Sequence, residues 1–140
     1  MGVYRDDLIR PWVLPSVREA EKRIIAQELG MEYPPITDLS GFLSSVFSLA
    51  YGASSPALLD KRVGGTPTVG GTGAISVAYE FLKRFMPEKT LMVSTPSWMN
   101  HTNIALRTGI PIQPYRYVNL HTKMLDTEGM CADLAKGNAE

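Results

Sequence analysis

The strongest constraint on the fold of this sequence is the run from Arg62 to Met86, where three different backbone preferences follow one another without a gap. Arg62 to Val69 is β-branched and glycine-rich and reads as extended chain, Gly70-Gly71-Thr72-Gly73 reads as a tight turn, and Ala74 to Met86 reads as an apolar helix. The pattern then repeats. Thr90 to Ser94 is a short apolar strand, Trp98 to Thr108 a helix ending at Gly109, Ile110 to Tyr117 another extended stretch despite its prolines, and Thr127 to Lys136 a closing helix. Strands alternating with helices need crossover connections, so the chain from about residue 62 onward is expected to be an α/β layer with parallel strands. About three strands are few for a parallel sheet, which normally has both faces covered, so the architecture reads as partial.

The preceding segment is helical in style. Ser16 and Glu19 have capping-box spacing, and Val17, Ala20, Ile24, Ile25 and Leu29 recur on one face before Gly30, giving an expected helix over about 16–29. After Tyr33-Pro34-Pro35, Asp38 or Ser40 is placed to cap a second helix carrying Phe42, Leu43, Val46, Phe47 and Ala50. Ser55-Pro56 starts a third, short one. The expected division is a helical segment over 1–61 and the first part of an α/β layer over 62–140.

Composition removes several classes of function. Fourteen Lys plus Arg balance fourteen Asp plus Glu in 140 residues, so no basic excess draws the chain to nucleic acid or to an anionic membrane. No apolar run reaches the ~20 residues of a membrane span, and the charged start MGVYRDDLIR is unlike a secretory signal. The expected compartment is the cytoplasm, with an organelle matrix such as the mitochondrial one as the alternative. Cys131, the single cysteine, sits among Met130, Ala132 and Leu134 and reads as a packing residue. No His, Cys and carboxylate cluster has metal-ligand spacing, so no metal site is expected.

Chemistry is concentrated at Gly70-Gly71-Thr72-Gly73. Glycines let backbone approach a ligand closely, and the start of a helix offers unpaired N–H groups at its positive dipole end, a combination suited to phosphate. The turn lacks the Lys-Ser/Thr of a Walker loop and the spacing of a dinucleotide fingerprint, and a ligand-free tight turn explains the pattern equally well. Trp98 and His101, three apart at the start of the next helix, are placed to face the same crevice at the carboxyl ends of parallel strands. The competing reading makes Trp98 a packing anchor and His101 an ordinary satisfied polar residue.

Several segments in order resemble class I aminotransferases of the aspartate aminotransferase type: Tyr4-Arg5-Asp6-Asp7, Pro11 to Arg18 (PWVLPSVR), Gly71-Thr72-Gly73-Ala74, Glu80 to Arg84 (EFLKR) and Pro96 to His101 (PSWMNH). The resemblance implies part of the large domain of a pyridoxal-phosphate-dependent transferase, an α/β fold of parallel strands and crossover helices. It implies that Gly70, Gly71 and Thr72 hold the phosphate of pyridoxal 5′-phosphate. By the same resemblance Trp98 lies against the cofactor ring and helps seat the substrate, and His101 supports the acid that pairs with the pyridine nitrogen. It also implies that Tyr33 reaches the cofactor phosphate of a neighbouring subunit in a homodimer, and that Gly2 falls in a segment covering the substrate. The substrates it implies are an amino acid and a 2-oxo acid, with L-aspartate and 2-oxoglutarate first and aromatic amino acids as the alternative.

The sequence departs from the family pattern in places. Gly70 stands where the family usually has Ser, and Pro67 where a polar residue is common. A hydroxyl lost from a phosphate site removes a charge-assisted hydrogen bond of roughly 1.5–3 kcal/mol. The lysine that bonds the cofactor and the aspartate for the pyridine nitrogen belong to later parts of the family pattern. Lys22, Lys61, Lys83, Lys89, Lys123 and Lys136 all fall in other contexts, so no catalytic residue is assigned. The chain is therefore expected to be an N-terminal portion of such an enzyme, inactive alone, or else a non-catalytic relative that has drifted at the phosphate turn.

Overall fold

A computed structural model of the chain describes residues 2–33, 35 and 41–137. They fall into two compact units, Met1–Ile36 and Thr37–Glu140.

The first unit holds helix α1 (Pro15–Ala26). It begins at Pro15, whose fixed φ and missing N–H suit a first helical turn, so Leu14 rather than Ser16 takes the cap position. The expected capping box therefore does not form; Glu19 instead accepts from Arg23 Nε at 2.9 Å along the helix face. The helix stops at Ala26, short of the expected Leu29, and Glu28 follows in a left-handed conformation at φ 46°. Trp12 packs at a tilt against Tyr4, with ring centroids 5.8 Å apart, in keeping with a packing role.

The second unit opens with α2 (Phe42–Tyr51) and α3 (Pro56–Leu59). The cap position of α2 is Gly41, at φ 79°; Asp38 and Ser40, the caps expected from sequence, lie outside the described residues. The stretch from Arg62 to Val69 is irregular and not a strand, a correction to the sequence reading. β-Propensity sets backbone shape but does not supply a ladder, and among the described residues the sheet has two strands, neither of them in this stretch. Gly64, Gly65, Thr66 and Thr68 instead line an apolar groove of about 760 Å³ with Val77 and Phe81 of the next helix.

That helix, α4 (Gly70–Phe85), starts four residues earlier than expected, because the glycines form its first turn instead of a separate turn before it. Strand β1 (Leu91–Thr95) follows, then α5 (Met99–Thr108), strand β2 (Ile112–Arg116) and α6 (Thr127–Gly137). The strands pair in parallel, from Leu91 opposite Ile112 to Thr95 opposite Arg116, with α5 as the crossover. Pro114, opposite Val93, lacks an N–H and is tolerated because β2 is an edge strand.

The core lies where α4 and α5 meet this sheet. Tyr79, Ile104, Ala105 and Ile110 are buried together, and Ile75, Leu82, Leu91 and Ile112 close around them. Burial pushes the Tyr79 phenol above its ordinary pKa. Arg116 at the end of β2 grips Asp133 of α6 with Nε and Nη2, each at 2.8 Å, and its backbone N–H also donates to that carboxylate at 3.0 Å. Cys131 is exposed, not packed as the sequence suggested. No described helix is long and apolar enough to cross a membrane.

Candidate functional site

Two helix starts come together in the second unit. Gly70 can open α4 because it sits at φ 63°, a conformation that costs a side-chain-bearing residue about 1–2 kcal/mol. Gly71 has a different reason to be small: a Cβ built on it meets nothing within 4 Å, so its missing side chain leaves the backbone open to approach from outside. The cap residue Val69 makes no side-chain hydrogen bond to the first turn, so the leading N–H groups of a 16-residue helix have no side-chain cap. These donors and the positive dipole end favour an anion.

The start of α5 carries the aromatic part. Trp98 is the cap residue of α5 and remains 49% exposed. His101, half-buried, stands edge-on to it with ring centroids 5.6 Å apart. His101 Nδ1 shares a 2.7 Å hydrogen bond with Ser97 Oγ, which in turn accepts from Ser94 Oγ at 3.2 Å. The imidazole is thus fixed from one side by hydroxyls and from the other by the indole, one helical turn behind Trp98.

A direct link joins the two starts. Asn100 Nδ2 donates to Thr72 Oγ1 at 3.3 Å across 28 residues of sequence. The bond brings Thr72, in the first turn of α4, beside the first turn of α5, immediately after Trp98. Sequence reasoning named Thr72, Trp98 and His101 but missed Asn100, Ser97 and Ser94.

Tyr33 and Gly2 belong to the first unit, where Tyr33 is 98% exposed and Gly2 is also exposed. A cleft of about 460 Å³ is lined by Ser94, Thr95, Ser97, Met99 and Thr102, and neither Thr72 nor Trp98 borders it. The candidate site is accordingly an open surface, not that cleft. Among the described residues no group of His, Cys, Asp and Glu has the arrangement to hold a metal.

The residues present fit a phosphorylated aromatic molecule: donors without a side-chain cap and an open glycine for the anion, a half-exposed indole for the ring. The family model described as aminotransferase class I and II matches residues 1–140. The mitochondrial aspartate aminotransferase of Schizosaccharomyces pombe is 43% identical over 133 residues, covering 95% of this chain and 30% of that protein. The solved cytoplasmic aspartate aminotransferase of Saccharomyces cerevisiae superposes with a TM-score of 0.85 at 37% identity, covering 97% of this chain and 33% of that one. An aromatic-amino-acid aminotransferase from Burkholderia pseudomallei, solved covalently bound to pyridoxal phosphate, gives a TM-score of 0.83 at 32% identity over 96% of this chain and 34% of its own. The chain thus spans about a third of the length of the relatives it matches.

Proposed function

The chain belongs to the class I and II aminotransferase family, and on that premise we propose that it carries the cofactor-phosphate and ring-contact part of an L-aspartate:2-oxoglutarate aminotransferase. The observation that carries this reading is the Asn100–Thr72 bond, which puts the first turn of α4 beside the start of α5 and its exposed indole. In this reading the N–H groups of Gly70, Gly71 and Thr72 and the Thr72 hydroxyl bind the phosphate of pyridoxal 5′-phosphate. Trp98 lies against the ring and helps seat the substrate, and His101 acts from behind it. Pyridoxal phosphate, when bound, supplies the electron sink for amino-group transfer. The protein's part at this surface is to bind, orient and exclude water.

Further elements belong to the same proposal. Tyr33, exposed on the first unit, reaches the phosphate site of a second copy, making the active form a homodimer; Gly2 lies in a segment that covers the substrate. The division into a helical 1–61 and a cofactor-binding 62–140 is kept as the functional one, and the compartment as cytoplasm or mitochondrial matrix. Aspartate is favoured as substrate by the name of the 43%-identical relative. Aromatic amino acids are the second reading, since a structural neighbour of TM-score 0.83 is an aromatic-amino-acid aminotransferase.

The test is a titration with pyridoxine 5′-phosphate, which has no aldehyde and cannot bond to lysines, against pyridoxine. Phosphorylated probe should bind more tightly, and Trp98→Ala should weaken it by about 2- to 10-fold, the range expected for a lost ring contact of roughly 0.5–1.5 kcal/mol. Trp12→Ala should leave it unchanged. Equal binding of the two probes would sink the reading.

A further inference from the structure

Resting on the phosphate reading above, we propose that Asn100 is a positioning residue that makes the Thr72 hydroxyl a one-way donor to phosphate. A hydroxyl has one proton and two acceptor positions. Threonine near a helix start readily spends that proton on a backbone carbonyl of the preceding turn, or on a neighbouring acceptor, and is then of little use to an anion. Here Asn100 Nδ2 donates into Thr72 Oγ1 at 3.3 Å, so the amide occupies an acceptor position and leaves the proton free. Among the described residues Asn100 is the side-chain partner of Thr72, and Thr72 itself is exposed at the first turn of α4. In this arrangement the proton is left for an acceptor at the exposed first turn of α4.

The arrangement has particular weight in this chain because Gly70 offers no hydroxyl, which leaves Thr72 as the side-chain donor of the Gly70-Gly71-Thr72 turn. Asn100 is half-buried beside the α4–α5 contact, so its amide is held and not swept about by solvent. The direction of the amide carries the inference. With the amide reversed, Oδ1 would accept the Thr72 proton and withhold it from phosphate, and the two orientations predict opposite effects of truncation.

The experiment titrates the 140-residue chain and its variants with pyridoxine 5′-phosphate and with pyridoxine, following the Gly71 amide and the Thr72 methyl by NMR. Asn100→Ala should weaken pyridoxine 5′-phosphate about fivefold, as expected when one neutral hydrogen bond is no longer oriented, and leave pyridoxine unchanged. Asn100→Asp should weaken it beyond about tenfold, because a carboxylate accepts the Thr72 proton and repels the phosphate. In a Thr72→Val background Asn100→Ala should have no further effect. If Asn100→Ala binds the phosphorylated probe as tightly as the parent or tighter while Thr72→Val still weakens it, the role of Asn100 is overturned and the phosphate site stands. Equal losses for both probes would make Asn100 merely structural and also overturn it. If the parent shows no preference for the phosphorylated probe and Thr72→Val changes nothing, the phosphate reading falls and this inference with it.

Discussion

Substituting the two adjacent glycines at the start of α4 should separate folding from binding. Gly71→Ala places a methyl in open space, since a Cβ there meets nothing within 4 Å, and the position lies in regular helix after Gly70. Alanine is favoured over glycine in a helix by roughly 0.5–1 kcal/mol, so about half a kcal/mol of added stability is expected at this terminal position. The same methyl stands where the backbone would face a phosphate, and a misfit of about 1–3 kcal/mol should weaken pyridoxine 5′-phosphate about tenfold. Gly70→Ala has the opposite sign for folding: at φ 63° the alanine pays about 1–2 kcal/mol of backbone strain, whatever the space around it. Amide exchange along α4 reads the stability change locally, without requiring all-or-none unfolding, and the titration reads the binding. Slower exchange with weaker binding for Gly71→Ala is expected. Faster exchange in Gly71→Ala, or unchanged affinity alongside slower exchange, would refute the reasoning that this glycine is kept for a ligand and not for the helix.

Two other outcomes follow. Adding pyridoxal 5′-phosphate and borohydride to the chain alone should label no single lysine stoichiometrically, because Lys83 and Lys136 lie in the last turns of α4 and α6 and none of the others falls at the start of α4 or α5; one specifically labelled lysine would contradict this. Asp133 should stay ionised near about pH 3, where a free aspartate is largely protonated. Its hydrogen bonds from the Arg116 side chain and backbone hold its carboxyl well below the usual carboxylate range. A depressed folded value means that the α6–β2 clamp is fully present above the ordinary aspartate range and is lost only as pH falls through the depressed one. The carboxyl carbon shift of Asp133 followed through an acid titration checks this, and a midpoint near the ordinary value would show the clamp to be open in solution.

The helices were legible because each carries its own signal: apolar spacing in α1, α4 and α5, proline at the first turn of α3, a glycine after α5. Both paired strands were legible for the same reason, as short apolar runs between those signals. Residues 62–69 were misread because β-propensity alone does not make a strand without a neighbour to complete the ladder, and that neighbour is not encoded locally. The glycine run was misplaced by one turn because glycine is normally a weak helix former, whereas here it forms the first turn of α4. Thr72 was singled out for its glycine-rich helix start, and Trp98 and His101 for their place after β1. Asn100 was not, since its role lies in a contact 28 residues away.

The two helix starts are held relative to each other by the apolar contact further along the same helices, where both meet the sheet. Tyr79 is seven positions on from Thr72, about 10 Å along α4, and Ile104 is four positions on from Asn100, about 6 Å along α5. With Ala105 fully buried, the helices approach closely at that point, and each first turn projects from it by a fixed rise per residue. A second apolar stripe on α4, Val77, Phe81 and Phe85, is 48%, 56% and 62% exposed and takes no part in that contact. A helix apolar on two sides is suited to lie between two layers, and here the stripe made by Ile75, Tyr79 and Leu82 is the one in use. Covering the other stripe would add burial to α4 without changing which residues of α5 it touches. The Thr72–Asn100 contact therefore rests on the side of α4 that carries Ile75, Tyr79 and Leu82, through packing among residues 75–112.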